Sequence, residues 1–296
     1  MTNARANLLL LLAGAIWGLG FVSQSTAMAN IGPFLFIGLR FLIAMVAIVP
    51  LALRESRNAG ARLTISDVRY FLLIGVFLFA GMSAQQLGLM ETSVTNSGFL
   101  TGLYVVIVPI LSVILFRQWP HPVIWPCAIA ALAGIYLLSG GKLEALLPGD
   151  WLTILCAIFF ALQMLFITRY ANRTGRPVAL AIVQFSLCAA LGFALAIITG
   201  ERFDWSAVML SAPEILFVGV FSSGVAFTIQ MIGQRYTTAP QAAIFLSSEA
   251  LFAALFGALL LGERLPPVGL FGCALIFSAM LAVELLPMLW RKRIAA

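Results

Sequence analysis

Glu249 carries the most chemistry in this sequence. It stands ten residues into an apolar stretch at about 240–261. If that stretch lies in lipid, an ionised acid at its centre costs on the order of 3 kcal/mol. The side chain must then be protonated, paired or wetted. It is a candidate to exchange a proton or to hold a cationic amine; the plainer alternative is a glutamate bonded to serines or backbone of a neighbouring helix. Neutral polar residues sit in similar stretches: Gln24, then Ser83, Gln85 and Gln86, then Thr101 and Tyr104, Gln163, Ser222, Ser223, Thr228 and Gln230, and Ser247 and Ser248. One such glutamine is ordinary glue between helices, worth about 1 kcal/mol. The set together points to a polar cavity. Trp17 is the one tryptophan in mid-stretch, and its indole N–H needs a partner that lipid cannot offer. It faces a wet interior or donates to a neighbouring carbonyl. Arg40 lies near the outer end of its stretch and is expected to snorkel. The residues expected to touch a bound small molecule are Trp17, Gln24, Ser83, Gln86, Thr101, Tyr104, Gln163, Ser223, Gln230 and Glu249.

Other chemistries find little support. Cys127, Cys156, Cys188 and Cys273 fall in apolar stretches without a CxxC pair and read as small buried hydrophobes. His121, the only histidine, is in a short segment between prolines. Neither a metal site nor a cofactor is expected. An intramembrane protease would need an aspartate, a serine–histidine pair or HExxH within a span, and the spans hold none.

The elements that must position these residues are membrane helices. Hydrophobic residues make up 62% of the 296 and charged residues 9%, against about a quarter charged in soluble domains. A spanning helix needs roughly 20 apolar residues. The sequence predicts ten spans, at about 8–27, 33–53, 70–90, 95–116, 122–139, 151–169, 178–198, 212–233, 240–261 and 267–288. Trp119, Trp125, Trp151, Trp205 and Trp290 fall at span ends or in a loop, as an interfacial belt does. The opening basic residue, apolar run and Ala27-Met28-Ala29 resemble a signal peptide, but the run is long for one and contains Trp17 and Gln24. Its reading as the first span is preferred.

The spans repeat. Tyr70 to Tyr136 aligns with Glu214 to Leu281 at an offset of 144, becoming 145 from Tyr104 onward. Ile74–Phe77 matches Val218–Phe221, Gln86 matches Gln230, Tyr104 matches Glu249 and Pro122 matches Pro267. Each half holds five spans, an odd number, so the second copy enters from the opposite face. The expected organisation is a first repeat at 1–140, an extracytoplasmic connector at 141–149 and a second repeat at 150–296 ending in a cytoplasmic tail. Placing the N-terminus inside puts 13 of the 17 basic residues in inside segments and only Lys142, Arg202 and Arg264 outside. The positive-inside rule then makes both termini cytoplasmic. The expected fold is an all-α membrane protein, ten transmembrane helices as two inverted five-helix repeats around a central cavity. The polar-rich spans 1, 3, 4, 6, 8 and 9 should line it, leaving 2, 5, 7 and 10 peripheral. Inverted repeats of this kind mark secondary transporters that hold substrate where the halves meet. The partners are then a small-molecule substrate and the lipid bilayer; no nucleic acid is expected.

Certain residues resemble a known family. Ala15-Ile16-Trp17-Gly18 with Phe21-Val22, Gln86-Leu87-Gly88-Leu89, Gly98 to Leu103 with Pro109, Gln234-Arg235-Tyr236, Glu249 to Leu255 and Leu261-Gly262-Glu263-Arg264-Leu265 together resemble the drug/metabolite transporter superfamily, EamA type, and within it the YddG-like amino-acid exporters. The resemblance implies alternating access and export of small metabolites such as amino acids through an inner membrane. A flippase for lipids or lipid-carried sugars, or a nucleotide-sugar transporter, is the rival within the same fold. The chain departs from the family at Ala250, where proline is usual, and at Arg117-Gln118-Trp119, which lacks the acid of Gly-Glu-Arg. Glu263 is expected to cap or anchor the outer end of the ninth span.

Overall fold

The computed structural model describes every residue except 29, 93, 142–145, 262–265 and 296. Among the described residues the chain is helical throughout, without strands. In order it forms α1 (Asn3–Met28), α2 (Pro33–Arg57), α3 (Ile65–Leu89), α4 (Val94–Thr101), α5 (Tyr104–Phe116), α6 (Ile124–Leu138), α7 (Pro148–Thr174), α8 (Pro177–Ile198), α9 (Trp205–Leu210), α10 (Ala212–Phe217), a π-helical segment (Val218–Ala226), α11 (Phe227–Gln234), α12 (Ala239–Leu246), α13 (Ser248–Leu261) and α14 (Pro267–Ala295). Helix is the rule because lipid offers no partner to a free backbone group.

Against ten expected crossings, eight stretches among the described residues are long and apolar enough to span a bilayer: Pro33–Arg57, Ile65–Leu89, Ser97–Phe116, Pro148–Thr174, Pro177–Ile198, Ala212–Gln234, Ala239–Phe256 and Pro267–Pro287. α6 is apolar but only 15 residues long. α1, of 26 residues, packs among the others. Glu263 and residues 142–145 of the expected 141–149 connector lie outside the described residues, and α7 already begins at Pro148.

Three spans expected to be continuous are interrupted. α4 gives way to α5 at Gly102–Leu103, where the bonds shorten to Val105 N–H on Gly102 and Val106 N–H on Leu103. Pro109 within α5 leaves the Val105 carbonyl without its donor. α12 gives way to α13 at Ser247, whose hydroxyl donates to the Ile244 carbonyl at 2.7 Å; serine competes in this way with the helical ladder. The third interruption is the π-helical turn between α10 and α11, a form frequent at functional sites.

Packing follows the repeat. α2 lies along α8, and α6 along α14, so two pairs of repeat mates bind each other; α3 lies along α7, and α1 along α11 and α13. Both self-pairs approach at glycine. A Cβ on Gly192 would stand 2.6 Å from the Gly38 nitrogen, and one on Gly134 would stand 2.6 Å from the Gly272 carbonyl. Small residues let helix backbones close where no hydrophobic force separates protein from lipid.

α2 and α8 also cap each other. Both begin with proline at the first turn, Pro33 and Pro177, which suits a position whose N–H has no helical partner. The Glu201 carboxylate, beyond the end of α8, accepts from the N–H groups of Phe34 and Leu35 at 3.1 and 2.7 Å. The Glu55 carboxylate, near the end of α2, accepts from Val178 and Ala179 at 3.0 and 2.9 Å. Each acid answers unpaired donors and the positive end of a helix dipole. Glu284 of α14 accepts from Asn7 of α1 and Gln241 of α12, tying three helices at one end. Of the expected interfacial tryptophans, Trp119, Trp151 and Trp205 are exposed.

Candidate functional site

The interruptions converge on one cavity. Its wall is formed by Trp17, Gln24, Arg40, Met82, Gln85, Thr101, Tyr104, Phe160, Gln163, Met164, Ser222, Phe227, Gln230, Leu246 and Glu249, and the space between them is partly open. Seven of the ten residues expected at the site line it: Trp17, Gln24, Thr101, Tyr104, Gln163, Gln230 and Glu249.

Tyr104 and Glu249 occupy matching places in the two repeats and touch. The tyrosine hydroxyl donates to Oε1 of Glu249 at 3.2 Å. The contact joins the two halves of the chain at corresponding positions. Each follows the break in its span, Tyr104 opening α5 and Glu249 in the first turn of α13. The N-terminal ends of half-helices carry partial positive charge, which favours an acid at Glu249. Tyr104 is the hydrogen-bond partner of Glu249 among the described residues, and leaves its second oxygen free.

The π-helical segment explains Trp17. Widening the helix to i→i+5 spacing releases carbonyls from their usual donors, and the Trp17 Nε1–H donates to the Ser222 carbonyl at 2.9 Å. The indole also meets the Phe227 ring at 4.8 Å between centroids. Trp17 is bonded to a neighbouring carbonyl and lines the cavity. Phe41 and Phe185 continue the aromatic surface behind Phe227.

Three expected residues stand behind the wall. Gln86 donates to Gln24 Oε1 at 2.9 Å and does not meet its repeat mate Gln230; Gln85, one position earlier, faces the space and donates to Thr101 at 3.2 Å. Ser83 is only partly buried, and its hydroxyl has no partner. Met82 on the same helix lines the cavity, whereas Met90 just beyond it is 60% exposed. Ser223 is likewise displaced in favour of Ser222, because the π-helical turn takes in an extra residue and rotates the helix beyond it. Ser223 accepts instead from Arg40.

Arg40 is the main correction. It does not snorkel; it is 1% exposed and lines the cavity. Its Nε donates to Ser223 at 2.8 Å and its Nη1 to Gln24 at 2.6 Å. Span 2 is therefore not peripheral. Span 7 also reaches inward: Gln163 donates to Gln184 of α8 at 3.2 Å, and Gln184 to the Met231 sulfur at 3.3 Å. A signal for both was present in the sequence, since Arg40 and Gln184 are polar and 144 apart.

Toward the arginine-rich end, aromatic rings fill the space between α3, α5 and α7. Tyr70 stacks on Tyr170 at 4.1 Å, and Phe166 meets Phe77 and Phe116 at 5.3 and 5.4 Å. Arg169 lies over the Phe116 ring at 5.0 Å and Arg173 over Tyr70 at 6.0 Å. No group of three or more histidine, cysteine or acidic side chains among the described residues could hold a metal.

The arrangement can bind a small molecule between two aromatic and amide-bearing walls, with a cation and an acid at separate places. Comparison with known proteins agrees in kind. The EamA-like transporter family matches residues 4–140 and 147–285. An uncharacterized transporter of Archaeoglobus fulgidus is 32% identical over 280 residues, 95% of this chain and 86% of that protein. The uncharacterized transporter YwfM of Bacillus subtilis is 26% identical, covering 95% and 94%. A solved crystal structure superposes with a TM-score of 0.78 over 96% of this chain and 97% of the other at 20% identity, which is a likeness of fold.

Proposed function

The chain belongs to the EamA-like transporter family, and from that premise we propose that it exports small metabolites, amino acids with aromatic or other apolar side chains foremost, by alternating access. It crosses an inner membrane ten times as two inverted repeats, 1–140 and 150–296, with both termini in the cytoplasm. The reading is carried by the Tyr104–Glu249 contact, two repeat mates meeting at the break in their helices. Discontinuous helices at a repeat interface are where secondary transporters hold substrate. The aromatic wall of Trp17 and Phe227 suits an apolar side chain, and Gln24, Thr101, Gln163, Gln230 and Glu249 supply polar partners. Gln86 and Ser223 act through the residues they hold, and Ser83 is left out of the contact set.

Counterflow in proteoliposomes across a panel of labelled amino acids, with and without a pH gradient, tests this. Saturable flux of phenylalanine or leucine is the expected result. Movement of a fluorescent lipid analogue with no amino-acid flux would replace export by lipid flipping.

A further inference from the structure

We infer that Arg40 is the anchor for a free carboxylate, so that the cavity recognises its substrate first by an acid group. This deepens the reading above and rests on it.

The guanidinium is buried without a counter-ion. Among the described residues the only ion pair is Arg176–Glu55. The rings of Phe36 and Phe41 lie 5.5 and 5.4 Å from its central carbon and offset part of the charge, yet a ring has no lone pair to receive an N–H. Of five N–H donors, one at Nε goes to Ser223 and one at Nη1 to Gln24. Among the described residues Nη2 has no hydrogen-bond partner, and Arg40 lines the cavity. The fork is held still, because Gln24 is itself fixed by Gln86. A guanidinium pinned on one edge and open on the other matches the two oxygens of a carboxylate.

The rest of the wall has the opposite character. Gln230 is 2% exposed and lines the cavity, with its side-chain oxygen unpartnered. Glu249 has one oxygen on Tyr104 and the other free. These acceptors suit an ammonium, while Arg40 suits an acid. An ion-pair partner within the protein would cancel Arg40; its absence leaves the charge for a ligand to complete. A halide would satisfy the charge but not the planar two-oxygen geometry.

The test uses purified protein in nanodiscs and four matched probes: phenylalanine, 3-phenylpropanoate (acid without amine), phenylalaninamide and phenethylamine (amines without free acid). Thermal unfolding is followed with each, in chloride and in sulfate buffers, and the same probes compete against labelled phenylalanine in counterflow. Both acids should bind at least tenfold more tightly than both amines, whichever buffer anion is present. Arg40→Gln should erase that preference and Arg40→Lys retain a weakened one. Arg40→Gln removes an unpaired buried charge, so the protein should still fold; if it does not, the wild-type comparison of phenylalanine with its amide decides alone. Equal binding of amines and acids overturns the carboxylate anchor while leaving a transporter of amines. An acid preference that survives in Arg40→Gln, or that vanishes in chloride alone, overturns it too. Acid binding without flux of any probe would sink the export reading and leave the anchor standing.

Discussion

α2 and α8 are built alike and used differently. Their first-turn prolines, Pro33 and Pro177, are 144 apart, and each helix receives on its first N–H groups a glutamate carried by the other. About two turns further in the likeness ends. Position 40 is a guanidinium reaching Gln24 and Ser223, whereas position 184, also 144 residues on, is an amide reaching Gln163 and Met231. Tyr104 and Glu249 differ in the same way. The likeness of the two halves is kept where it holds helices together and abandoned where side chains face the cavity. Local breaks in a consistent pattern are expected at functional places.

Transferring the cation to the second repeat should disturb this most. Gln184→Arg sets a second unpaired charge against Gln163 and the Met231 sulfur, at a cost of roughly 3–5 kcal/mol. The variant should be lost from the monodisperse peak on fluorescence-detected size exclusion; normal yield would mean that position 184 is as tolerant of charge as position 40. The self-paired contacts come next. Gly192→Val and Gly134→Val each press a side chain on backbone atoms of the facing helix, an overpacking worth about 1–3 kcal/mol. Similar drops in thermal midpoint are expected, and an unchanged midpoint in one would show that its pair does not bear on stability. Glu249→Gln preserves shape and hydrogen bonding but cannot carry a proton. The protein should fold, flux should fall about tenfold, a barrier change of about 1.4 kcal/mol, and its response to pH should flatten. Wild-type rate and pH profile in this variant would return Glu249 to a structural role. The caps should give the smallest effects, about 0.3–1 kcal/mol for Glu201→Gln, with Glu55→Gln somewhat larger because that acid also pairs with Arg176 at 3.3 Å. Matching unfolding midpoints in the two would remove any weight from that ion pair.

Much of the architecture is legible in the residues alone. The family resemblance rests on motifs spread over both halves, and the family match covers both. The offset identifies Tyr104 and Glu249 as mates, and the structure brings this pair together but not the mates Gln86 and Gln230. Rotation of the walls is not legible. Gln85 replaces Gln86 on the regular helix α3, where adjacent positions differ by about 100° in facing, and Ser222 replaces Ser223, where a face drawn with constant pitch cannot anticipate the π-helical turn. The inward course of Arg40 escapes a sequence reading for another reason. Depth within the span favours snorkelling, whereas the polar mate at Gln184 indicates a direction shared by both repeats.

The reciprocal glutamates also impose an order in time. As the chain leaves the ribosome, the acid that answers the start of α8 is made long before α8 itself, since Glu55 precedes Val178 by 123 residues. The start of α2 has the reverse history. Its donors at Phe34 and Leu35 must wait for Glu201, 167 and 166 residues later, and water or headgroups must hold them meanwhile. The second repeat thus docks onto a prepared end, while the first is finished only by its successor. A nascent chain arrested before Glu201 should show faster amide exchange at the beginning of α2 than at the beginning of α3, whose cap, Thr64 with Asp67, is local.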